Sequence, residues 1–93
     1  MKATHYVVSY DVESDKRRTK IAKALEDFGQ RVQFSVFECR LNPKDMVRMQ
    51  ARVEDLINRK TDSLIIYRLC ESCTQEIYRV GAKKVLDRED YIV

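Results

Sequence analysis

Arg31-Val32-Gln33-Phe34-Ser35-Val36-Phe37-Glu38-Cys39-Arg40-Leu41 alternates apolar and polar side chains near the middle of the chain. Alternation with a period of two marks extended backbone. The run reads as two short strands folded near Phe34-Ser35, or as one bent strand. Gly29, just upstream, offers a stop for a preceding helix. That helix starts at a Ser14 or Asp15 N-cap and runs to Phe28, with Ile21, Ala24, Leu25 and Phe28 as its apolar stripe. Before it, residues 4–10 are rich in β-branched and aromatic types, with apolar members on both faces, as in a central strand.

Downstream of the run, Asn42 caps a second helix with Pro43 at its first position. Met46, Met49, Val53, Leu56 and Ile57 form its stripe, and Arg59-Lys60 suit its C-terminus. Ser63 to Leu69 reads as a buried strand, and Glu76–Val80 and Asp90–Val93 as further strands around a break at Gly81. The order is strand, helix, strands, helix, strand. This α+β pattern implies a ferredoxin-like βαββαβ sandwich, with helices on one face of an antiparallel sheet and extra strands at the C-terminus. Residues 1–93 form one domain, and the 80–93 extension is expected to pair with an exposed sheet edge, on another chain.

Composition narrows the class. Apolar residues make up 44% and charged residues 35% of 93, with only two Gly and one Pro, which excludes a disordered, collagen-like or disulfide-scaffold chain. A domain this small hides about 60–70% of its unfolded surface, so a second copy would help it. Eighteen basic and fifteen acidic residues leave +3, which permits a polyanionic partner without demanding one. No apolar run nears the roughly 20 residues of a membrane span, and Met1-Lys2 precedes no apolar signal core. With three cysteines, an odd number, the expected location is the reducing cytoplasm, with no membrane partner.

Asp11 is the most informative position, since it ends the first strand where a loop meets a helix start. It serves either as a turn or capping residue or as a ligand for Mg²⁺, which prefers carboxylate oxygens. One carboxylate is too few for a catalytic metal cage, and two copies facing across a two-fold axis would do better. Lys16, Arg17, Arg18, Lys20 and Lys23 follow with no acid among them. Lys20 and Lys23 fit a solvated helix face. At about 100° per residue, Arg17 and Arg18 each fall roughly 50° from the centre of the apolar stripe, toward the sheet side. There they either pair with Asp11 or Glu13 or clamp phosphate.

Tyr10, Arg31 and Phe37 are ordinary strand residues taken singly. His5 is the only histidine, so a catalytic triad within one chain has little support, and it reads as structural. Cys70-Glu71-Ser72-Cys73 is a lone CxxC that follows a strand, whereas a redox pair belongs at a helix start; plain thiols are the expectation. With Gly29 and Gly81 alone, there is no P-loop.

Tyr10-Asp11-Val12, the Asp15-to-Arg18 spacing and Gly29-Gln-Arg-Val-Gln-Phe-Ser-Val-Phe-Glu-Cys39 together resemble the small CRISPR-associated endoribonuclease family "Cas-two", which takes part in spacer acquisition. The resemblance covers essentially the whole chain. It implies a ferredoxin-like homodimer whose C-terminal strands extend the partner's sheet, with the two Asp11 carboxylates close enough to hold Mg²⁺ or Mn²⁺. It also places Tyr10, Arg18, Arg31 and Phe37 at positions linked to nuclease activity, and Lys20 at an often basic one. Two functions follow. One is a metal-dependent endonuclease acting on single-stranded RNA or duplex DNA. The other is a non-catalytic scaffold that holds DNA by its phosphates and bridges "Cas-one" integrase dimers. Arg17, Arg18, Lys20, Lys23 and Arg31 are the expected phosphate contacts in either.

Overall fold

The computed structural model describes residues 2–81. Strand β1 (Thr4–Asp11) leads into helix α1 (Asp15–Glu26), hairpin β2 (Gly29–Gln33) and β3 (Val36–Leu41), helix α2 (Pro43–Leu56), strand β4 (Ser63–Leu69) and a short helix α3 (Glu71–Gln75). The sheet order is β2-β3-β1-β4 with every neighbouring pair antiparallel. This is the βαββαβ layout expected from the alternation and the two helical stripes. The 31–41 run is two strands, turned at Phe34-Ser35.

Local chemistry accounts for each element. Ser14 caps α1 by accepting from the Arg17 N–H at 3.2 Å, and Asn42 caps α2 by accepting from the Asp45 N–H at 2.8 Å. Both helices cover one face of the sheet, where Val8, Tyr10, Ile21, Leu25, Phe37 and Met49 form the core. Burying a side chain such as Leu25 contributes about 1.5–3 kcal/mol.

Four boundaries differ from the sequence reading. First, α1 stops at Glu26 with Asp27 as its C-cap, and Gly29 opens β2 instead of ending the helix. Glycine is needed there because a Cβ would collide with the Glu38 carbonyl and come 2.5 Å from the Cys39 sulfur. Second, α2 stops at Leu56, and Ile57 is already extended, so Arg59-Lys60 lie in the following turn. Third, β4 is an edge strand and not a buried one. Leu64 and Ile66 pack against the core, while Ile65 and Tyr67 on the opposite face stay 47% and 51% exposed. Fourth, Glu76–Val80 is irregular chain after α3, and no strand forms there. The strand expected at Asp90–Val93, and the 80–93 extension beyond Gly81, lie outside the described residues. No described helix is long and apolar enough to cross a membrane.

Candidate functional site

Alternation along β1 divides its side chains. Tyr6, Val8 and Tyr10 face the helices, and His5, Val7, Ser9 and Asp11 face the other way. Asp11 is the last residue of β1 and is exposed. It pairs with Ser63 across β4, while Ser9 pairs with Ile65 and Val7 with Tyr67. The carboxylate therefore sits at one end of a partly apolar, open sheet face.

The strand end is braced by a residue that sequence reasoning missed. The Asp62 side chain is fully inaccessible. It accepts from the Glu13 N–H at 3.0 Å, from Arg17 Nε at 2.8 Å and Nη2 at 3.1 Å, and from the Asn58 N–H at 3.0 Å. The β1–α1 loop and the α2–β4 loop are thus tied together beside Asp11. The Arg17 guanidinium holds the Asp62 carboxyl well below the usual carboxylate range, against the cost of burial. In turn, Asp62 raises Arg17 above its ordinary value. A turn-rich Asn58-Arg-Lys-Thr-Asp62 stretch directly before a strand was the available signal.

Arg17 and Arg18 do lean toward the sheet side, but neither pairs with Asp11 or Glu13 side chains. Arg17 is occupied by Asp62 and Thr61. Arg18 donates to the Val12 carbonyl at 2.9 Å and to Asp15 at 2.6 Å, which fixes the loop on the other side of Asp11. Lys16, Lys20 and Lys23 are exposed along α1.

Tyr10 and Phe37 belong to the core, 4% and 0% exposed, with ring centroids 6.3 Å apart. Phe37 therefore touches neither solvent nor a strand of nucleic acid in this protomer. Its reach to the surface is through exposed Arg31, whose guanidinium lies 5.6 Å over the Phe37 ring. The Tyr10 hydroxyl is buried without a hydrogen-bond partner among the described residues.

His5 lies at the opposite end of the open face, buried, with Nε2 3.2 Å from Glu38 Oε1. Arg79, on the irregular segment, donates to the same Glu38 carboxylate at 2.8 Å. The described chain after α3, as far as Gly81, thus reaches the His5 end of the face through Arg79.

Among the described residues, no three His, Cys, Asp or Glu side chains gather as a metal cage. Asp11 by itself supplies one hard oxygen donor group. That fits Mg²⁺, which is commonly held by one or two carboxylates with water and substrate phosphate, provided the remaining positions are filled from outside this chain.

The CRISPR associated protein Cas2 family model matches residues 4–77. A Rhodospirillum rubrum protein named CRISPR-associated endoribonuclease Cas2 4 is 47% identical over 77 residues, covering 83% of this chain. The match spans 62% of that relative's own length. The crystal structure of Streptococcus pyogenes Cas2 at pH 6.5 superposes with a TM-score of 0.74 at 36% identity, covering 83% of this chain and 99% of that one. A chain of a partial Cas6-RT-Cas1–Cas2 complex superposes with a TM-score of 0.69 at 26% identity, covering 83% of this chain and 90% of that one.

Proposed function

Since this chain belongs to the CRISPR-associated Cas2 family, we propose that it acts in spacer acquisition as a homodimeric nuclease whose cleavage of phosphodiester bonds depends on Asp11. The observation that carries this reading is the exposed Asp11 carboxylate at the end of an open sheet face, set between two braced loops. The endoribonuclease name of the Rhodospirillum rubrum relative supports the reaction class. The half-exposed Ile65 and Tyr67 on the same sheet face as Asp11 support a second copy packed on this face, which would bring the two carboxylates toward each other.

In this reading each residue has a part that its position allows. Asp11 holds Mg²⁺ or Mn²⁺, which when bound would offset charge building on the scissile phosphate. Arg31, resting on Phe37, offers a guanidinium to the nucleic-acid backbone. Arg18 keeps the Val12 carbonyl, and so the Asp11 loop, in place, and its part-exposed guanidinium is offered to phosphate. Tyr10 and Phe37 act from below as packing that positions Asp11 and Arg31. Lys20 and Lys23 contribute sequence-blind phosphate contacts. Arg17 is spent on Asp62, so we assign it to positioning rather than to nucleic acid. We place this activity in the cytoplasm, as the three cysteines suggest.

A second reading has two supports. Among the described residues no three metal-ligating side chains gather, which makes Asp11 a thin catalytic set, and a chain of a partial Cas6-RT-Cas1–Cas2 complex is among the similar structures. The dimer would then hold duplex DNA and bridge Cas1 integrase dimers without cutting.

The test is a paired assay of wild type and Asp11→Asn on labelled single-stranded RNA and duplex DNA, with Mg²⁺, Mn²⁺ or EDTA, recording binding in the same tubes. A nuclease loses metal-dependent cutting by about 10²-fold or more in the mutant, with binding intact. No cutting by either protein, with equal salt-sensitive duplex binding, leaves the scaffold.

A further inference from the structure

Cys70-Glu71-Ser72-Cys73 does sit at a helix start, contrary to the expectation from its place after a strand. Cys70 is the N-cap of α3, and Cys73 lies one turn along it. Both thiols are exposed. The Cys73 N–H donates to Cys70 Sγ at 3.4 Å, and the Ser72 hydroxyl lies 3.2 Å from the same sulfur. The Thr74 N–H and hydroxyl both donate to the Cys70 carbonyl, at 2.9 and 3.0 Å, and hold the turn. Residues three apart on a helical turn are neighbours, so the two thiols lie on one side of α3.

The two sulfurs are not equivalent. The Ser72 hydroxyl, followed by the Cys73 N–H and thiol, lowers Cys70 to about 7. Cys73 is raised, chiefly by its contact with Cys70. The hydrogen bonds converging on Cys70 Sγ thus favour its thiolate over that of Cys73. Cys39 contrasts with both: it is buried, and burial followed by Glu38 pushes it up to about 12. Cys70 also lines a cleft of about 350 Å³ whose walls include Lys2, Arg68, Glu71 and Thr74. Two cations against one carboxylate on these walls favour an anionic reactant.

We infer that Cys70 and Cys73 are a redox-active dithiol that exchanges with the disulfides of small anionic thiols. The Cys70 thiolate attacks one sulfur of the small disulfide, forming a mixed disulfide and expelling one thiolate. Cys73 then gives up its proton to solvent and attacks Cys70 Sγ. The mixed bond breaks, the second small thiolate leaves, and an internal Cys70–Cys73 disulfide remains. The pair is oxidised by two electrons and the small disulfide is reduced to two thiols. The reverse sequence restores the dithiol. In a reducing compartment such a bond is transient, which is the behaviour of a sensor and not of a structural staple.

The full-length protein equilibrated with mixtures of reduced and oxidised glutathione tests this, followed by intact mass and peptide mapping. Wild type is expected to lose two hydrogens at Cys70 and Cys73 with Cys39 untouched. Cys73→Ser should stop at a Cys70–glutathione mixed disulfide, and Cys70→Ser should react about tenfold more slowly. Arg68→Glu should slow the reaction with oxidised glutathione several-fold and leave that with neutral hydroxyethyl disulfide unchanged. The inference is overturned if both thiols stay reduced across the mixtures, or if they form independent mixed disulfides at equal rates. It is equally overturned if stoichiometric Zn²⁺ uptake protects the pair, which would make it a metal site.

Discussion

Asp62 exerts its effect on the candidate site without facing it. Its carboxylate ties Glu13 and Arg17 to Asn58, across 49, 45 and 4 positions of chain. Because the folded carboxyl is held below its ordinary value of 3.8, it favours the folded state fully above about pH 4. That contribution is lost as the pH falls below this value and the carboxyl takes up a proton. Asp62→Asn should therefore melt several degrees lower than wild type at pH 7, with a flatter fall in melting temperature below about pH 4, as read by thermal circular dichroism at stepped pH. Equal pH profiles for the two proteins would remove the ion pair from this account. Asp11 was legible in the sequence because it sits at a strand-to-helix junction. Asp62 was not, since what makes it important is a partner far away in the chain that no local pattern names.

At the scale of elements, what is local was legible. Pro43 after a capping Asn42 marks α2, and the Asn42 side chain does accept the Asp45 N–H. Asn42→Ala should cost about 1 kcal/mol, measured as a lower urea midpoint with unchanged slope. The hairpin was likewise readable from alternation interrupted at Phe34-Ser35. Two elements escaped for different reasons. The edge position of β4 depends on which strands lie beside it, and Leu64-Ile65-Ile66-Tyr67 reads as doubly buried until that order is known. The short α3 escaped because cysteine is outside the usual set of N-cap residues, although its sulfur accepts the same hydrogen bond.

Among the described residues the molecule is a two-layer domain with its two long helices on one face of the sheet, so the other face lacks such a layer. The segment around Arg79 covers the His5 and Glu38 end, and Val7, Ile65 and Tyr67 lie on the same face between that end and Asp11. Tyr67→Arg should turn a dimer into a monomer in sedimentation velocity while far-ultraviolet circular dichroism stays that of the wild type. An unchanged dimer would place the contact elsewhere. The sheet order also has a consequence for synthesis. β1 is made first yet lies between β3 and β4, and its pairing with β3 spans only Thr4 to Ser9. Asp11 finds its strand partner at Ser63 alone, and the neighbouring Asp62 brace arrives with it. A nascent chain on the ribosome therefore carries Asp11 on a strand end without its β4 partner until translation has passed Ser63, and a copy terminated before that point lacks the Asp62 brace.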